Sequence, residues 1–405
     1  MKSALLPTTL LLAALAIPAK ADVITDWNLK TGNLITEAKI GTPPAIRVMA
    51  IVQTSAYGAV NAITQHYPAA ASPSRAAKGA SIDAAVAAAH RRALLKLLPA
   101  QQASIEAAYQ AALASVTDGD AKTAGIAIGE QAAAQVLAQR ADDSVTSPVA
   151  YRPHTSASAY VPTVAPAVPQ WSQRKPWLMT SAAQFRPAAP PALTSQAWVR
   201  DYNEVKALGS KAGASRSAEQ TEIALFWDYS LPSIYYGVVR SVAGQPGREL
   251  TRNALLYAMA AQAMDDALIG VFDAKYRYNF WRPVTAIRNG DGDGHDGTQR
   301  DASWTSLIDA PMHPEYPSGH AILASAVATV LKADIGAGPV PTLATTSPTA
   351  KGTTRRWTSL DDFVREVSDA RIYGGIHFRT ATEVGVEMGR RIGELAAKRL
   401  HTPGQ

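Results

Sequence analysis

Apolar residues recur at helical spacing along most of the chain. Between residues 46 and 63, Ile46, Met49, Ala50, Val52 and Tyr57 fall into such a pattern. The same reading predicts helices over 81–97 and 103–116, broken near Pro99, and over 120–140. In the second half it predicts helices over 194–208, 219–227, 248–287, 318–332, 357–371 and 377–400, with loops at 290–301 and 335–355. No segment alternates apolar and polar residues with period two, so no sheet is expected. The pattern predicts an all-α protein made of helical bundles.

Residues 141–193 depart from this pattern. They hold nine of the 26 prolines, and proline neither continues a helix nor donates a backbone hydrogen bond. The stretch should be irregular: either a linker between two bundles or a loop wrapping one, with Trp171, Trp177 and Phe185 available for packing. The chain then divides into an N-terminal helical region (22–140), this Pro-rich stretch (141–193) and a C-terminal bundle (194–405). Residues 1–21 read as a signal peptide. Lys2 supplies the positive start, Leu5 to Ile17 the apolar middle, and Ala19-Lys20-Ala21 the small-x-small cleavage pattern. The expected destination is outside the cytoplasm, periplasmic or secreted. The apolar run is shorter than the ~18–20 residues of a membrane span, so no stable membrane insertion is expected.

Composition narrows the chemistry further. Of 405 residues, 47% are hydrophobic and 18% charged, enough for a sizeable core. There is no cysteine, which excludes disulfides, thiolate metal sites and cysteine nucleophiles. The formal charge of +6 comes without a clustered basic stripe, so nucleic acid is not an expected partner. Oligomeric state is not legible.

Three C-terminal segments share the chemistry of holding a tetrahedral oxyanion. In Lys275-Tyr-Arg-Tyr-Asn-Phe-Trp-Arg282-Pro283 the two cations are seven residues apart, ~10 Å along a continuous helix and on one face of it. Tyr316-Pro317-Ser318-Gly319-His320 leads into an apolar helix, whose free amides and dipole favour an anion. Ser318 adds a hydroxyl, Gly319 permits close approach, and His320 can move protons near neutral pH. In Arg371-Ile-Tyr-Gly374-Gly375-Ile-His377 the glycine pair can turn His377 back toward Arg371. Asn289-x-Asp291-x-Asp293-Gly294 opens like a calcium loop, but Arg300 stands where the bidentate Glu belongs. Gly385, Gly389 and Gly393 are four residues apart, which suits close packing against a neighbouring helix.

Taken together, Lys-x6-Arg-Pro, Pro-Ser-Gly-His and Arg-x5-His resemble the superfamily of vanadium-dependent haloperoxidases and type-2 phosphatidate phosphatase-like acid phosphatases. Phe280-Trp281-Arg282-Pro283 and Tyr316-Pro317-Ser318-Gly319-His320 are more similar to the haloperoxidase branch. The resemblance implies bundled helices with the site in the C-terminal bundle. It implies that Lys275, Arg282, Ser318, Gly319 and Arg371 bind the oxyanion, that His377 bonds its central atom, and that His320 is the acid/base. In the haloperoxidase branch the cofactor is vanadate and the substrates are hydrogen peroxide and halide, with Lys275 polarising bound peroxide. In the phosphatase branch no cofactor is needed, and His377 would form a phosphohistidine from a phosphomonoester.

Two positions depart from the family pattern. An Asp often stands four residues after the bonding His; here that residue is Ala381. An Asp upstream of the first motif supports the acid/base side in haloperoxidases, and Asp228, in Phe226-Trp227-Asp228-Tyr229, is the nearest match, with Asp265 and Asp266 as rivals. Seven residues before His320 stands His313. The resemblance implies His there in algal bromide-oxidising members and Phe in a chloride-oxidising fungal one, so bromide or iodide is the expected substrate.

Overall fold

A computed structural model describes residues 22–67 and 78–400; the expected signal peptide lies outside them. The first group of helices is α1 (Val23–Ala38), α2 (Thr42–Thr64), α3 (Ile82–Leu97), α4 (Gln102–Ala114) and α5 (Asp120–Gln139). Then follow α6 (Gln196–Leu208), α7 (Ala218–Phe226), α8 (Ser233–Ala243), α9 (Leu250–Tyr278) and α10 (Pro283–Arg288). The last are α11 (Gly319–Ile335), α12 (Leu360–Tyr373) and α13 (Arg379–Leu400). Side-chain caps start many of them: Asp22, Ser81, Ser195, Ser217, Ser318 and Ser359 each accept a first-turn amide. The all-helical expectation holds, and α1 and α8 are helices that the periodicity did not reveal.

α9 is the spine. It packs on α2 on one side and on α11 and α13 on the other. Among the described residues it is the helix long and apolar enough to cross a membrane, yet that apolar window lies wholly inside the fold. Its middle carries Asp265 and Asp266, which grip the Pro-rich stretch. Arg174 forks onto Asp265 at 2.6 and 2.9 Å, and the amides of Trp177, Leu178 and Met179 converge on Asp266 at 2.7, 2.8 and 2.8 Å. Residues 141–193 therefore run as an irregular wrap over α9, with a single short helical turn at Trp171–Gln173. Asp265 and Asp266, the rival carboxylates for the acid/base, are occupied by this task.

Two expectations need correction. The helix predicted over 248–287 stops at Tyr278. Asn279 takes the left-handed conformation (φ 48°) and caps Lys275's carbonyl, residues 280–282 run extended, and Pro283 opens α10. Asn tolerates that conformation, and the residue before a proline avoids the helical region, so the break is local chemistry. The predicted 335–355 loop holds most of an antiparallel hairpin, β1 (Leu343–Ser347) and β2 (Thr353–Trp357), whose end delays the start of the helix predicted from 357 until Leu360. Its buried face is Leu343, Thr345 and Ser347. Two of those three are polar, which hid the alternation. Their hydroxyls are satisfied by the carbonyls of Ile234 and Phe226.

α13 lies against α11 along the stripe of Gly385, Gly389 and Gly393. A Cβ at these positions would run into the backbone carbonyls of Ser318, Ile322 and Ala326. The stripe thus brings α13 to contact distance along α11, beginning at the residue that starts it.

Candidate active site

The start of α11 is the centre of the candidate site. Ser318 is fully buried and caps the helix through Ala321, and its own amide donates to the carbonyl of Ala381 at 2.9 Å. Gly319 and His320 supply the first two helical amides, which have no partner within a helix. A Cβ on Gly319 would meet nothing within 4 Å, so there is open space at this point.

Lys275 and Arg282 reach the site from opposite sides of the break after α9, rather than from one helical face. Lys275, fully buried, donates to the carbonyls of Pro314, Glu315 and Pro317 at 2.9, 2.8 and 2.5 Å. All three ammonium protons are thus committed to the 314–317 loop, and Lys275 acts on the site through its charge and by holding that loop. The Arg282 guanidinium donates to the carbonyls of His313 (3.0 Å) and Ile376 (2.8 Å) and reaches His313 Nδ1 (3.0 Å) and His377 Nε2 (3.3 Å). Arg371, at the end of α12, donates to Trp227's carbonyl, while its Nε is buried without a partner.

The turn after α12 works through Gly375, at φ 76°, where a Cβ would strike the backbone of Gly209. The amides of Ile376 and His377 then fold back onto Arg371's carbonyl. His377, 2% exposed, places Nδ1 2.7 Å from Glu315 Oε1. Sequence reasoning missed Glu315. Its signal was a carboxylate between Pro314 and Pro317, immediately before the Tyr316–His320 motif and three residues before Ser318. His320 faces the backbone of Tyr229, and its Nε2 is buried without a partner. His313 packs edge-on against Phe272 at 5.3 Å. Asp228 sits at the rim near Arg371, whose charge opposes the upward push that partial burial gives this carboxyl.

Burial dominates the electrostatics. It pushes Lys275 well below its ordinary value, and Arg282 and Arg371 down to about 10. His313, His320 and His377 are all held well below the usual imidazole range, with neighbouring cations adding to the effect of burial. Burial lifts Glu315 to about 7 against the pull of Arg282 and Lys275. Three clustered cations destabilise one another, and a multiply charged anion among them relieves that cost. The orphaned His320 Nε2 and Arg371 Nε, the free amides and the space at Gly319 all fit such an anion. Among the described residues no group of three or more His, Asp and Glu is placed to hold a metal cation, the 289–294 loop included. There Asp293 instead accepts from Trp198, His295 and Thr298.

Comparison with known proteins agrees with this geometry. Residues 255–404 match the family model described as the VCPO second helical-bundle domain. A stretch of 174 residues is 30% identical to the vanadium chloroperoxidase of Curvularia inaequalis, covering 35% of this chain and 28% of that protein's length. The fold matches that of the first bacterial vanadium-dependent iodoperoxidase with a TM-score of 0.82 at 24% identity, over 95% of this chain and 99% of that one. It matches a holo-type bacterial vanadium-dependent chloroperoxidase with a TM-score of 0.70 at 18% identity, over 89% and 93% of the two chains. The resemblance read from the motifs is borne out: the relatives are vanadium haloperoxidases, and the fold is theirs.

Proposed function

We propose that this chain is an exported, vanadate-dependent haloperoxidase that uses hydrogen peroxide to oxidise bromide or iodide. The observation that carries the reading is the clustering of three buried cations around His320 at the start of α11, with His320 Nε2 and Arg371 Nε orphaned and open space at Gly319. Likeness to vanadium haloperoxidases supports the choice of oxyanion, and the Lys2-to-Ala21 pattern supports export.

Arg282 and Arg371 would hold vanadate with charge and N–H donors, joined by the Gly319 and His320 amides and the Ser318 hydroxyl. Lys275 adds charge from behind the 314–317 loop. His377 offers Nε2 as the bond to the central atom. When bound, vanadate supplies a Lewis-acidic centre at which peroxide becomes reactive toward halide. His320, half-buried and facing the cations, is held neutral and can accept a proton from an incoming peroxide. An anion at the site raises its basicity by offsetting the surrounding cations. Arg282 would turn the N–H that now faces His377 Nε2 to the oxyanion, freeing that lone pair, while His313 holds the rest of the guanidinium.

A nucleophilic His gains more from an orienting carboxylate than a metal-bonding one, so Ala381 alone would disfavour phosphohistidine chemistry. Glu315 beside His377 removes that argument, so direct assay must separate the two activities. Protein stripped of oxyanions and then given orthovanadate should gain peroxide-dependent bromination and iodide oxidation. Aryl phosphate hydrolysis that vanadate inhibits, without halide oxidation, would establish the phosphatase instead.

A further inference from the structure

We infer that Glu315 is the positioning residue for His377, fixing its imidazole with the proton on Nδ1 and the Nε2 lone pair turned to the oxyanion. It takes the part of the carboxylate that Ala381 cannot supply, and the inference rests on the oxyanion reading above.

Both neighbours of the ring demand the same tautomer. Glu315 Oε1 accepts the amide of Phe378 at 3.0 Å, and as a carboxylate oxygen facing Arg282 and Lys275 it has lone pairs rather than a proton to offer. The ring nitrogen facing it at 2.7 Å, Nδ1, must therefore donate. On the far side, Arg282 Nη1 has only protons to offer and lies 3.3 Å from Nε2. Nε2 must therefore be bare. A histidine that bonds an electrophilic centre through one nitrogen needs the other held by an acceptor, and this pair meets that need.

The carboxylate is itself held firmly. Glu315's amide donates to Phe280's carbonyl at 2.9 Å, and Lys275 clamps the carbonyls at 314, 315 and 317. The Glu315 side chain is fully buried, and its Oε2 has no partner. An acidic group with an unsatisfied oxygen in a closed interior costs stability, and no contact at Oε2 offsets it. At the corresponding place on α13, Ala381 is 1% exposed and its carbonyl is taken by Ser318. The orienting carboxylate therefore comes from the loop before α11 rather than from the helix after His377.

The test reads the tautomer directly. Nitrogen-15 NMR of ligand-free wild type should show His377 protonated on Nδ1; a proton on Nε2 overturns the inference without any variant. Glu315→Leu should mix the tautomers and weaken orthovanadate and phosphate binding by roughly 10–100-fold. Glu315→Gln, whose amide oxygen can accept from both Phe378 and His377, should restore the Nδ1 proton and most of the affinity. A folded Glu315→Leu protein with unchanged tautomer and affinity would also overturn the inference. Wild type that binds neither anion would sink the oxyanion reading, and the tautomer would still decide the role of Glu315.

Discussion

His377 is buried and His320 half-buried beside the same cations, and their ring contacts set them apart. His377 is held at both nitrogens, by Glu315 and Arg282, whereas His320 keeps Nε2 without a partner. A nitrogen left free can exchange a proton, whereas a ring fixed at Nδ1 keeps Nε2 aimed at one centre. His320→Ala should therefore retain vanadate while turnover falls by roughly 10²–10⁴-fold, measured by vanadate titration alongside halide oxidation. Loss of the anion with turnover per bound site intact would reverse the two roles. His313 is tied to the same guanidinium, its Nδ1 3.0 Å from Arg282 Nη2. His313→Phe removes that contact and dries the pocket, so under the proposed activity the ratio of chloride to bromide oxidation should rise. An unaltered ratio would make His313 a support for Arg282 and nothing more. At this scale the cations, Ser318 and Gly319 were legible because each motif joins a charge or a donor to a backbone feature. Glu315 was not, because nothing local shows that a loop carboxylate will meet a ring 62 residues away.

Among the elements, α11 does most to place the chemistry, and the glycine stripe of α13 sets where α11 lies. Gly389→Ala should destabilise the fold by about 1–3 kcal/mol, since its Cβ has a backbone carbonyl in the way. Gly319→Ala should leave stability unchanged or slightly raised, because nothing lies within 4 Å, but it should weaken oxyanion binding by filling the space. Denaturant midpoints and vanadate titration on the two variants check this; equal losses of stability would contradict it. Most helices were legible from periodicity and caps. The break after α9 was not, because a separation of seven residues satisfies both a continuous helix and a corner. The hairpin escaped because its inward side is mostly hydroxyls, which look polar until their acceptors on neighbouring segments are known.

For the molecule as a whole, the least legible feature was how the wrap and the two helical groups share α9. Asp265 and Asp266 read as candidates for chemistry, and only tertiary structure shows them holding the Pro-rich stretch. The first helical group also sets a pH dependence. His90 is buried against Trp27, ring centroids 4.9 Å apart, and burial pushes it down to about 4, with Lys30 adding slightly and the Val86 carbonyl opposing. The folded state thus resists a proton that the unfolded chain accepts near 6.5. The associated stability, about 3 kcal/mol, is fully present above pH 6.5 and is lost as pH falls toward 4. Urea unfolding across that range should show the loss, and His90→Phe, which keeps a ring against Trp27, should flatten it. An identical slope in the variant would assign the effect elsewhere. The shared spine also has a consequence in time. α2 ends at Thr64, while its partner α9 begins at Leu250, so about 190 residues must follow before the two can meet. At ~5–20 residues per second of synthesis, that is roughly 10–40 s. Through that interval α3 and α5 can cover α2 on their sides, but the face of α2 that meets α9 has no native cover, so the first group of helices cannot complete its folding ahead of the half that carries the site.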